Sequence, residues 1–550
     1  MKSIISIILA ACSLVLSAQR TVGVTVKEEG HDPGYTFFSP MRSNSAYLVD
    51  ECGFLVKEWS ANNRPGLSGY LTETGVVLRA NKVDSPEFFQ ASTGGNIEII
   101  DWDNNQIWSA DFNTFEFIQH HDLKLMPNGN ILFLGWERIS PEQQLAYGRN
   151  PATVSEPYLW GEFVYEIKPT GTSDYEIVWE WHMQDHFVQD LDPSKDNYSE
   201  ISDAIGKIDI NYIGPGAWGV DDWWHCNAID YNPTFDQILV NSRNNNEMWI
   251  IDHSTTSEEA ATSSGGNSGK GGELLYRWGN PEAYGRGGSN DLRMYGSHGH
   301  YWIPDSLPNA GKIMYFNNGD DRPEGYYSTV ELLDPQRDGY NFVMNSSGVY
   351  LPEEPILVYQ DPSDEFDFLS YYLSNAQQLA NGNVFINEGG TGRLFEVNPA
   401  LQTVWQYISP VRSSGPVQQG DFISGNSIFR AYKLPADYGA FTGRDLSSSD
   451  PLEGRENALC LDVSTADLPS DAFVTMSYDM SSGIVYIENI GSTDIEVAIL
   501  RATGELMEQH SLLSHEQYAE YQIAADVPGV YIISLTDSKG RQLSRKVVKY

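Results

Sequence analysis

Basic residues are scarce in this chain of 550 residues: 34 Lys and Arg stand against 75 Asp and Glu, a formal charge of −41. Phosphate backbones are bound by basic surfaces, so this balance argues against nucleic acid as a partner. The acidic excess reads as a solvated surface that aids solubility, in preference to a calcium site. Cysteine is scarce as well, and the four are Cys12, Cys52, Cys226 and Cys460. After the first residues no stretch has the continuous apolar length of a membrane span, and no Gly-rich loop of the kind that cradles nucleotide phosphates is present. Few stretches are long enough for a helix.

The N-terminus carries an export signal. Lys2 supplies the positive start, Ile4 to Leu16 a mostly apolar run, and Ser17 and Ala18 a small-residue cleavage site before Gln19. Leu9, Ala10, Ala11 and Cys12 also resemble a lipoprotein signal, but a cut before Cys12 would leave Leu14, Val15 and Leu16 on the mature chain, so cleavage after Ala18 is expected. Cys52, Cys226 and Cys460 then remain, enough for one disulfide in an oxidising compartment, with the pairing open.

Hydrophobic residues make up 41% and aromatics 12%, ample for a core, and the length calls for at least two folded units. One phrase recurs four times. Its fullest copy runs from His120, His121 and Asp122 through the Pro127-Asn128-Gly129 turn to Ile131, Leu132 and Phe133. Others start at His225 and His298, and a fourth, ending Asn381-Gly382-Asn383-Val384-Phe385, has Ser374 where the histidine falls. An apolar run ending in an aromatic accompanies each unit: Phe54 to Trp59, Ile97 to Trp108, Ile177 to Trp181, Leu274 to Trp278, Ile356 to Tyr359 and Val404 to Tyr407. Weaker units at Gly66 to Leu78 and Gly420 to Arg430 bring the count to six. Alternating apolar residues and Gly, Asn and Asp turns read as short antiparallel strands. The expected fold is therefore all-β, a six-bladed β-propeller in which equivalent positions share one surface, followed by a small β-sandwich. A large sandwich of unrelated hairpins is the alternative. The Ser- and Gly-rich tract from Asp252 to Glu273 reads as a flexible loop.

The boundary is set by a Ser-, Asp- and Gly-rich stretch from Leu446 to Glu456, beyond which short strands follow at close spacing. The expected organisation is a signal peptide over 1–18, the propeller over 19–445, a linker over 446–472 and a C-terminal domain over 473–550. Gly529, Val530, Tyr531, Ile532 and Ile533, with Lys546, Val547 and Val548 at the end, make that domain resemble the sorting domain of type IX secretion substrates. The resemblance implies periplasmic transit, handling by secretion machinery, removal of the domain, and a secreted or cell-surface location. A carbohydrate-binding or fibronectin-like sandwich is the alternative.

Histidines gathered at the mouth of such a fold can bind a metal, shuttle protons or act as nucleophiles. His121, His225 and His298 could supply three zinc ligands. Arg243, on the strand returning beside His225, opposes a divalent cation there and suits sulfate, phosphate or carboxylate. No metal and no cofactor are therefore expected. His182 and His186, four apart, read as structural or as part of the rim.

These residues, in order along one stretch, resemble the arylsulfotransferase family. The resemblance rests on Gly34-Tyr35-Thr36, Tyr47 to Asp50, Arg64-Pro65-Gly66, His120-His121-Asp122, Trp224-His225-Cys226-Asn227, Ser242-Arg243, and Gly425 to Tyr432. It implies a propeller and a two-step transfer from an aryl sulfate donor to a phenolic acceptor through a sulfohistidine. It places the nucleophile on His298, charge stabilisation on His225, Asn227 and Arg243, and proton exchange on His121. Ser374 stands where the family carries threonine, and Ser297, Gly299 and His300 depart from the family's flanking residues, so His300 is the rival nucleophile. Two other functions fit the same residues: an aryl sulfatase, and a non-catalytic surface propeller that binds sulfated or acidic glycans.

Overall fold

The computed structural model describes residues 21–454, apart from 86, 87, 89–91, 156, 218–220 and 364–366, and most strand and turn residues between 474 and 549. The expected signal peptide and most of the expected linker lie outside the described residues. The chain divides into two compact units, one of residues 20–455 and the other built on 456–550.

Both units are nearly all β. Among the described residues the α-helices are two short ones, Pro141–Ala146 and Ser257–Ala260, each started by a capping box. The second lies in the tract read as a flexible loop. There Thr256 and Glu259 cap the turn reciprocally, and the Ser268 N–H donates to Asp252 Oδ2 at 2.7 Å. The tract is thus held by its own polar side chains, the composition that made it look loose. No helix among the described residues is long and apolar enough to cross a membrane.

The larger unit holds six antiparallel sheets of four or five strands among the described residues. Ile428–Leu434 pairs with Tyr35–Pro40, so the first sheet is made from both ends of the unit. The next four sheets begin with Pro65–Leu71, Phe117–Leu125, Cys226–Asn232 and His298–Trp302. The last begins with Asn375–Gln378 and gains Gly23–Lys27 as an outer strand beside Thr403–Ile408. The strands at the opening edge lie against one another in that order, and Asn375–Gln378 lies against Ile428–Leu434.

Successive residues on a strand face opposite sides, so each sheet fills two cores. Phe37 and Val77 pack between the first and second sheets, whereas Leu78 packs with Phe133 between the second and third. Val240 faces Trp181 of the third sheet, and its neighbour Leu239 faces Tyr315 of the fifth. Phe316 in turn packs with Ile386 of the sixth, and Leu394 with Phe38 of the first.

The apolar runs ending in an aromatic end on the outer strands of the first five sheets and on the strand beside the outer one in the sixth. Their indoles tie each sheet to the next. Trp59 Nε1 donates to Asp101 O, Trp108 to Asp174 O, Trp181 to Gly272 O, Trp278 to Pro352 O and Trp405 to Glu51 O, at 2.7–3.1 Å. The fifth sheet has Tyr359 at this place.

In the smaller unit two sheets share one core. Val474–Asp479, Ile484–Asn489 and Tyr518–Gln522 form one, and Leu506–Leu512, Ile495–Arg501, Gly529–Asp537 and Gln542–Lys549 the other. Val485, Ile487, Val497, Ile499, Ile533 and Leu535 fill the space between them. Cys52 is in a disulfide, and Cys226 is free and buried.

Candidate active site

The opening strands are irregular where the chemistry lies. Their pairing slips register between Pro65 and Gly69, across His120 to Asp122, between Cys226 and Ala228, and between His298 and Tyr301. Such bulges re-aim side chains. Leu67, His121, His225 and Leu373 have left-handed backbones with φ of 87°, 48°, 49° and 63°, and all four line one cavity of about 290 Å³. Non-glycine residues held there cost about 1–3 kcal/mol each and cluster at functional sites.

His121, Asp222, His225, Arg243, Asn244 and His298 form the polar side of this cavity, and Met41, Leu67, Tyr372 and Leu373 the apolar side. His298 is fixed through Nδ1, which lies 3.0 Å from Gly296 O and 2.8 Å from Asn318 Oδ1. The Asn318 amide is itself oriented by donating to Ser370 O and Leu373 O. Both neighbours of Nδ1 are acceptors, so Nδ1 carries the proton and Nε2 keeps its lone pair. Burial, then Arg243 and Arg430, holds His298 well below the usual histidine range, and it is neutral near pH 7.

Arg243 follows the strand Gln237–Ser242, and its N–H donates to His225 O at 3.3 Å. Its guanidinium is buried, with Nη2 2.8 Å from Asp320 Oδ2 and Nη1 3.1 Å from Asn244 Oδ1. His225 Nδ1 is bonded to Asp222 Oδ2, and its ring centroid lies 4.5 Å from that of His121. His121 Nδ1 lies 2.7 Å from His120 Nδ1, and His120 Nε2 lies 2.9 Å from Glu162 Oε2. His120 stacks on Trp136 at 4.0 Å. Burial, with neighbouring histidines, holds His121 well below its ordinary range.

The other expected site residues lie off this lining. Asn227 is wholly buried; its Nδ2 donates to Ser297 O at 3.1 Å and its Oδ1 accepts from Asn241 at 2.7 Å. Ser374 is equally buried; its Oγ donates to Ser370 Oγ and accepts from the Gly389 N–H, and Leu373 takes the cavity face. His300 stacks flat on Tyr315 at 5.0 Å and lines a second cavity of about 120 Å³ with Arg430, Asp122 and Lys124. Neither ring nitrogen of His300 has a hydrogen-bond partner among the described residues. His182 pairs with Glu137, and His186 stacks on Trp181 and bonds Ala260 O. Among the described residues no three His, Cys, Asp or Glu side chains are grouped as metal ligands.

Sequence reasoning missed Asp222, Asp320, Asn318 and Glu162. One of them had a signal: Asn318 follows Ile313–Asn317 as Arg243 follows Gln237–Ser242, the same place in the repeat.

The family model described as Arylsulfotransferase (ASST) matches residues 96–409, more than half of the chain. The chain belongs to the arylsulfotransferase family. The matched span contains His121, Asp222, His225, Arg243 and His298, and leaves Met41, Leu67 and Arg430 outside it. Among curated proteins the chain has no match. Solved structures are similar at low identity. A protein of unknown function from Bacteroides caccae is 12% identical over 72% of this chain and 98% of that one, with a TM-score of 0.38. A functionally unknown protein from Desulfotomaculum acetoxidans is 7% identical over 89% and 100%, with a TM-score of 0.32. A streptogramin B lyase is 10% identical over 76% and 94%, with a TM-score of 0.34.

Proposed function

We propose that the six sheets close as a six-bladed propeller and that its cavity moves a sulfuryl group from an aryl sulfate ester to a phenol through a sulfohistidine on His298. The cyclic order of edge-strand contacts, and the indole of Trp405 reaching back to Glu51, support the ring. Family membership supports aryl sulfate chemistry broadly.

One observation carries the mechanism: His298 spends its only N–H on Gly296 and Asn318, which leaves a neutral imidazole with a lone pair on Nε2 at a cavity that also holds Arg243. In the first step Nε2 attacks sulfur, the sulfur–oxygen bond to the aryl group breaks, and the departing oxygen takes a proton from His121. In the second step a phenol gives its proton to His121, its oxygen bonds sulfur, and the sulfur–nitrogen bond breaks. Arg243, and His225 oriented by Asp222, face the sulfuryl oxygens where charge accumulates. Met41, Leu67, Tyr372 and Leu373 receive the aromatic ring. Asn227 and Ser374 act behind the lining, on the segments that carry His298 and Leu373.

Incubation with 4-nitrophenyl sulfate, with and without phenol, tests this reading. Nitrophenol release that depends on phenol, with sulfuryl found on His298 by mass spectrometry, is the expected result. Phenol-independent release of sulfate makes the protein a sulfatase, and no release makes it a binding module.

We also propose that residues 1–18 direct export and that residues 473–550 are read by the secretion machinery and removed, leaving the enzyme secreted or at the cell surface. Peptides from 518–550 on the mature extracellular form would contradict this.

A further inference from the structure

Behind His121 lies a run of buried groups that the two transfer steps leave unexplained. Glu162, on Leu159–Thr170, is 2% exposed and among the described residues has no Lys or Arg bonded to it. Its Oε1 accepts two N–H groups, from Trp136 Nε1 at 3.1 Å and Cys226 N at 2.8 Å. Its Oε2 meets His120 Nε2, at 2.9 Å, and His120 Nδ1 meets His121 Nδ1 at 2.7 Å; the buried Cys226 side chain also bonds the carboxyl. Each of these contacts needs one donor and one acceptor, so the protonation of one end dictates that of the other.

We infer that Glu162, His120 and His121 form a proton wire that lets His121 act alternately as acid and base without becoming charged. This rests on the sulfuryl-transfer reading above. With Glu162 protonated, Oε2–H donates to His120 Nε2, His120 Nδ1–H donates to His121 Nδ1, and His121 Nε2–H is available to the departing aryl oxygen. When that proton leaves, His121 Nδ1 takes the proton of His120 Nδ1, His120 Nε2 takes the proton of Glu162, and the negative charge ends on Glu162. The acceptor phenol reverses every transfer. Protons and charge balance over the two steps, with one proton lent and one returned.

The surroundings favour this route over a charged histidine. Burial holds both His120 and His121 well below the ordinary histidine range, so an imidazolium there is costly. Burial, and then the charge of Asp222, pushes Glu162 up to about 8, so the resting enzyme holds the proton needed for donor cleavage. The two N–H groups on Oε1 leave Oε2 for the acidic hydrogen. The groups facing Glu162 are His120 and Trp136 from its own sheet, and Cys226, His225 and Asp222 from the neighbouring one. Those facing His121 are His225, His120, His298 and Arg430.

Glu162 and His120 lie off the cavity lining, and their role shows in leaving-group and pH dependence. Glu162→Gln keeps the shape and removes the exchangeable proton. Its donor-cleavage rate should fall about 10²–10³-fold with phenyl sulfate, whose leaving group needs protonation, and at least about tenfold less with 4-nitrophenyl sulfate. The wild-type rate with phenyl sulfate should decline as pH rises past about 8, and the variant should lack that limb. An equal loss with both donors, or none with either, overturns the wire while sulfuryl labelling of His298 keeps the transfer reading intact. Absence of labelling in the wild type overturns the transfer reading instead. Should Glu162→Gln fail to fold, His120→Asn gives the same comparison. The wild type alone gives another: its rate should depend more steeply on leaving-group basicity above about pH 8 than below, and an unchanged dependence overturns the proposal.

Discussion

The two edges of the same sheets behave differently. Toward the outer edge one device is repeated: the strand carries a Trp or Tyr and, in five sheets, a Trp indole N–H bonds a carbonyl of the next sheet. At the opening edge the backbone turns left-handed, and the side chain presented changes from Leu67 to His121, His225 and Leu373. The repeated indole bond fixes where the sheets stand, and the left-handed turns at the opening edge let equivalent positions carry different chemistry. The outer edge is therefore expected to answer to stability and the opening edge to rate.

The sharpest break in that contrast is His298→Ala, which should abolish donor cleavage and sulfuryl labelling, because no covalent intermediate forms without the attacking nitrogen. His300→Ala, on the neighbouring cavity, should leave the labelled intermediate detectable by mass spectrometry. If the two outcomes are exchanged, the nucleophile moves by two residues. Arg243→Ala comes next. It should slow formation of the intermediate in single-turnover kinetics by about 10²–10³ through lost charge stabilisation, with part of the loss from the unpaired Asp320.

At the outer edge, Trp181→Phe removes the N–H that satisfies Gly272 O. Denaturant unfolding should show a loss of about 1–3 kcal/mol, the usual cost of stranding a buried polar group, with kcat unchanged in the remaining folded protein. A change in kcat without a change in stability would dissolve the distinction between the edges. The smallest effect is expected from dialysis against a chelator, which should leave activity intact. Loss restored by zinc would revive a metal role for the three histidines.

The outer edge was legible in the sequence because an apolar run ending in Trp or Tyr is the same signal each time. The convergence of His121, His225 and His298 was legible for a related reason, since they share a place in the repeat. What the sequence hid is which of two neighbours faces the cavity. A bulge breaks the period of two that makes a strand readable. Leu373 and Ser374 both have positive φ, 63° and 88°, and the leucine, one residue before the expected serine, reaches the lining. Asn227 faces inward by the same mechanism. Partners that come from distant parts of the chain, such as Asp320 for Arg243 and Glu162 for His120, have no spacing signal, because the fold alone brings them near.

The pairing of Ile428–Leu434 with Tyr35–Pro40 has a consequence in time. During synthesis the partner of one of the unit's earliest strands is among its last to be made, so the first sheet waits for almost the whole unit, and contacts of such long separation form slowly. That late strand carries Arg430, whose guanidinium holds Ser374 O at 2.9 Å and Asn227 O at 3.0 Å. A nascent or truncated chain ending before Ile428 therefore lacks the clasp between two segments of the site.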